Sequence, residues 1–73
     1  MKIGFSQILM DDLVQTVRTA LAQHGIVNIS QLAEDIRKRN EGENVALEDI
    51  AERLMLQAQM SNAAMEFDGP LLN

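Results

Sequence analysis

The chain has 73 residues, 47% of them hydrophobic, with a net charge of −5, which describes one small folded domain and not a disordered segment. A core of this size is marginal, and oligomer interfaces often supplement it. There is no cysteine, which excludes a disulfide framework and a thiolate metal site.

The opening Met-Lys-Ile-Gly-Phe-Ser-Gln-Ile-Leu-Met is too short and broken to be the apolar part of a signal peptide. No later run approaches the length of a membrane span, so the cytoplasm is the expected compartment. Ser6 reads as the N-cap of a first helix running to His24. Its inward face is Met10, Leu13, Val14, Val17, Ala20 and Leu21, with Ile8 and Leu9 extending it. Asp11 and Asp12 suit the dipole of the early turns. Gly25 ends the helix in a left-handed conformation.

Ile26-Val27-Asn28-Ile29 is too short for an independent strand but long enough for one rung of a small ribbon. Asn28 is the expected cap of a second helix over 29–39, with Gln31 closing a capping box and Val27 stapling onto Leu32. Ser30 is the rival cap. Ile29, Leu32, Ala33 and Ile36 form the buried face, and Glu34–Lys38 and Asp35–Arg39 are i, i+4 ion pairs. Residues 40–44 are polar, contain Gly42, and read as a loop.

A third helix, begun by Asn44 or Ala46, is expected from Leu47 to Phe67, with Asp49 and Arg53 paired along it. Asp68-Gly69-Pro70 then stops it, and Leu71-Leu72 frays or returns onto it. One stripe, Leu47, Ile50, Ala51, Leu54, Ala58 and Met65, faces the core. A second, Leu56, Met60, Ala63 and Phe67, points roughly the opposite way, and nothing between Arg53 and Glu66 is charged. The fold expected is therefore all-α: three helices, the last one longest. The second stripe is the expected interface of a homodimer, or the seat of another protein.

The stretch Asn28-Ile29-Ser30-Gln31-Leu32-Ala33, followed by Ala46-Leu47-Glu48-Asp49-Ile50-Ala51-Glu52-Arg53-Leu54, resembles the helix-turn-helix core of winged-helix proteins. The resemblance covers a little over half the chain and implies a trihelical core whose third helix would read a DNA groove. Its exposed early positions would be Glu48, Asp49 and Glu52. The spacing is also similar to that of helix-hairpin-helix domains, without their glycine-rich hairpin.

Charge bears on that implication. Residues 1–40 carry Lys2, Arg18, Arg37, Lys38 and Arg39 against Asp11, Asp12, Glu34 and Asp35, a sum of +1. Residues 41–73 carry Arg53 alone against Glu41, Glu43, Glu48, Asp49, Glu52, Glu66 and Asp68, a sum of −6. Neutralising phosphates supplies much of the affinity for nucleic acid, so an acidic half works against it. Arg37, Lys38 and Arg39 are the alternative nucleic-acid contact. His24, the one histidine, has no cysteine or second histidine to join it, so a zinc site would need carboxylates alone, and it reads as a helix-end residue. No calcium loop, phosphate loop or nucleophile motif occurs, so no enzyme, cofactor or metal is expected. The function expected is that of a non-enzymatic interaction or accessory module that self-associates. The alternative is a small nucleic-acid-binding regulator.

Overall fold

A computed structural model describes residues 5–67. It is a three-helix domain with one short strand pair, and the expected all-α class holds. The first helix, α1, spans Gln7–His24, and the Ser6 hydroxyl accepts the Leu9 N–H at 3.1 Å. Gly25 closes it at φ 71°, its N–H reaching the Leu21 carbonyl. Without a Cβ, glycine takes this conformation at no steric cost.

Strand β1, Ile26–Asn28, leads directly into α2, Ile29–Arg39. Asn28 is the N-cap, as expected, its side-chain oxygen accepting the Gln31 N–H at 3.0 Å. The reciprocal half of the capping box is not formed: the Gln31 side chain turns forward along the helix, its amide nitrogen donating to Asp35 at 3.2 Å. A 3-10 turn, Glu41–Glu43, follows, and Asn44 ends it in the left-handed region. Asn44 is therefore spent on the turn, and Ala46 caps α3 without a side-chain hydrogen bond.

Helix α3 spans Leu47–Met60 and stops seven residues before Phe67, which corrects the longer helix expected; with 14 residues against 18 in α1, the last helix is not the longest. Its end is a Schellman closure. Asn62 is left-handed at φ 55°. The Asn62 N–H bonds to the Gln59 carbonyl and the Ala63 N–H to that of Ala58, at 3.1 and 2.9 Å. The chain then runs extended as β2, Ala64–Glu66, parallel to β1 with Ile26 opposite Ala64, Val27 opposite Met65 and Asn28 opposite Glu66. The ribbon thus joins the segment before α2 to the segment after α3; it is not a hairpin following α3. The stop at Asp68-Gly69-Pro70 and the Leu71-Leu72 return lie outside the described residues.

The core is apolar throughout: Leu9, Leu13, Val17 and Ala20 of α1, Val27 of β1, Ile29, Ala33 and Ile36 of α2, and Ile50, Ala51, Leu54 and Ala58 of α3. Most of the expected faces are here. Ile8 is a correction, since it points outward and is 72% exposed. Met65 packs on the core from β2, not from the helix.

Candidate interaction surface

The second stripe is not one helical face. Leu56 and Met60 remain on the outside of α3, 47% and 74% exposed. Ala63 and Phe67 lie beyond the helix end and pack, half-buried, against the core. The physical reason is the period. Ala63, Met65 and Phe67 are spaced by two, so an extended chain turns all three to one side, where a helix would scatter them.

What the fold assembles instead is a pair of grooves along the outer side of α3. The larger, about 570 Å³, is lined by Phe5, Met55, Leu56 and Gln59 with Asp49, Glu52 and Arg53 at its edges. The smaller, about 360 Å³, is formed by Ile29, Ala51, Met55 and Phe67 under a rim of Glu48, Asp49 and Glu52. Asp49, Glu52 and Met55 belong to both. The two aromatic residues of the chain therefore flank one methionine from opposite sides. Sequence reasoning missed this convergence, although the unused apolar character of Met55 was a signal for it.

The expected pairing of Asp49 with Arg53 is not formed. The Arg53 guanidinium carbon instead sits 5.6 Å from the centre of the Phe5 ring, a cation–π contact that walls the larger groove.

The basic cluster is placed differently from expectation. Arg37 pairs with Glu34 at 3.0 Å, one turn back. Arg39 crosses to α1 and grips Asp12, Nη2 donating to Oδ1 at 2.9 Å and Nε to Oδ2 at 3.1 Å. Neither Glu34–Lys38 nor Asp35–Arg39 is among the ion pairs of the described residues. The reason is geometric: Arg39 reaches Thr16 of α1 as well, with a 2.8 Å hydrogen bond, and Asn40 donates to Asp12 at 2.8 Å. Two acceptors on a neighbouring helix outcompete one carboxylate on its own helix, which already accepts from Gln31.

Burial pushes the Asp12 carboxyl up, but hydrogen bonds from Arg39 and Asn40, the Arg39 charge and the Thr16 hydroxyl outweigh it and hold its pKa below the usual value. A lowered carboxylate pKa contributes stability above the unfolded-state pKa, near 4, and loses it as pH falls through the folded value. Asp12→Asn is therefore expected to cost about 1 kcal/mol at neutral pH. The gap between the variant and the wild type should narrow as pH falls from the unfolded-state pKa through the lower folded-state one. Thermal melts from pH 7 to pH 2 check this, and a gap independent of pH would contradict it.

His24 is exposed and lines a shallow groove between α1 and α2 with Thr16, Thr19 and Arg39. Among the described residues no polar or charged residue is buried, and no group of three acidic, histidine or cysteine residues could hold a metal ion. No helix there is long and apolar enough to cross a membrane. No family model matches the chain, and neither the curated proteins nor the solved structures contain a significant match.

Proposed function

We propose that this protein is a non-enzymatic interaction or accessory module of the cytoplasm, and that it self-associates through the C-terminal half of α3. The observation that carries this reading is the exposure of Leu56 and Met60, one turn apart on a stretch without charge from Leu54 to Met65. Large apolar side chains grouped on a small domain mark interaction surfaces. A two-fold partner offers the same pair, so two antiparallel helices cover one another without a second gene product. Ala63 and Phe67, which pack half-buried against the core beyond the helix end, are not part of this exposed pair.

The pairing of Arg37 with Glu34 and of Arg39 with Asp12 supports a protein partner over a nucleic acid, because those cations are already engaged. Burying Met60 in a dimer contributes about 1.5–3 kcal/mol per side chain. Met60→Glu sets two like charges near the symmetry axis and is expected to split the dimer while leaving the circular dichroism of the helices intact. Sedimentation equilibrium up to high micromolar protein reads the outcome. A wild type that stays monomeric across that range overturns self-association.

A further inference from the structure

We propose that the smaller groove on α3 takes the side chain of a lysine or arginine presented by an amphipathic segment of a different protein. This rests on α3 being a docking face, and not on self-association. The floor is apolar, made by Ile29, Ala51, Met55 and Phe67, and three carboxylates, Glu48, Asp49 and Glu52, stand over it. None of the three side chains makes a hydrogen bond or ion pair among the described residues. Glu48 and Asp49 suit the first turn of the helix. Glu52 lies a turn further on, where that account no longer applies. Arg53, the single cation of residues 41–73, is turned to Phe5 at the other groove and does not line this one.

An apolar slot with an anionic rim matches the two halves of a long basic side chain. Its methylenes cover Met55 and Phe67 while its charged end reaches the carboxylates. About 360 Å³ holds one such side chain with room to spare. The neighbouring groove shares Asp49, Glu52 and Met55 and adds Phe5 and Leu56. Its Phe5 side, away from Leu56, offers the next seat along the same segment to an apolar residue. A second copy of this chain is the wrong occupant, since it would bring the same carboxylates face to face. A nucleic acid meets the same repulsion.

The test is fluorescence anisotropy with a fluorescein-labelled helical peptide carrying lysine and arginine on one face and leucine on the other. Two control peptides replace the basic residues with glutamate or the leucines with serine. The expected result is saturable binding of the first peptide and binding at least about tenfold weaker for either control. Glu52→Lys and Met55→Ala should each weaken it by about tenfold. Glu41→Lys makes the same charge change outside both grooves and should change it less than about twofold. Circular dichroism confirms that each variant is folded, and Glu52→Gln serves where Glu52→Lys is not.

Absence of saturable binding overturns the proposal. So does an equal loss in Glu41→Lys and Glu52→Lys, which would reduce the effect to net charge. Sedimentation of the same samples separates the two readings: a dimer that binds no peptide overturns only the cationic partner, and a monomer that binds it overturns only self-association.

Discussion

Leu54→Ala is expected to lower the stability of this domain by about 2–5 kcal/mol. Leu54 is fully buried on the face of α3 that enters the shared core. Removing its branched end costs the transfer of the lost methyl groups and leaves a cavity that a small three-helix core cannot close without moving a helix. At roughly 0.05–0.15 kcal/mol per residue, the whole stability of such a chain is about 4–11 kcal/mol. One substitution would therefore remove a large part of it. Leu56→Ala, two positions on and half exposed, should stay within about 1 kcal/mol at protein concentrations too low for association. Urea titrations of the two variants give the comparison. Equal midpoints would mean that α3 presents a different face to the core.

The buried faces of α1 and α2 were legible because several local signals agreed on them. Ser6, Asn28 and Gly25 each sit where a helix needs its end group, and the apolar spacing between them follows the helical period. The Arg39–Asp12 pair was not legible. Its partners are 27 positions apart, and no local rule connects the end of one helix to the second turn of another. The i, i+4 rule offers Arg39 a partner on its own helix, whereas the fold supplies a better one from outside.

The grooves on α3 were half legible. Glu48, Asp49 and Glu52 read as an exposed acidic start, and the chain needed no structure to show it. That Phe5 and Phe67 would flank Met55 depends on where the ends of the chain return, and a parallel strand pair fixes the second return. Ile8 shows the converse error. A run of three apolar residues, Ile8-Leu9-Met10, cannot all face inward on a helix, and the core takes Leu9.

The residue that separates the expected helix from the observed one is Asn62. A helix through Phe67 would hold it in the right-handed region, and Asn62→Gly would then be destabilising by about 0.3 kcal/mol, the difference between two poor helix formers. In the Schellman closure Asn62 is left-handed at φ 55°, a conformation that glycine adopts freely, so Asn62→Gly should be neutral or stabilising. Asn62→Val reverses the sign. A β-branched side chain in this region is strained, and the expected loss is about 2 kcal/mol, within the range for a non-glycine residue held there. The strain is not confined to the turn. Unwinding it detaches the Ala63 N–H from the Ala58 carbonyl and lets Met65 slip from its place opposite Val27. Asn62→Val should therefore also speed amide exchange in Ile26–Asn28, a segment 34 or more positions away in the chain. Thermal melts of the two variants and hydrogen exchange on β1 provide the measurement. A destabilising glycine with an innocuous valine would restore the long helix, and with it the four-residue stripe of Leu56, Met60, Ala63 and Phe67.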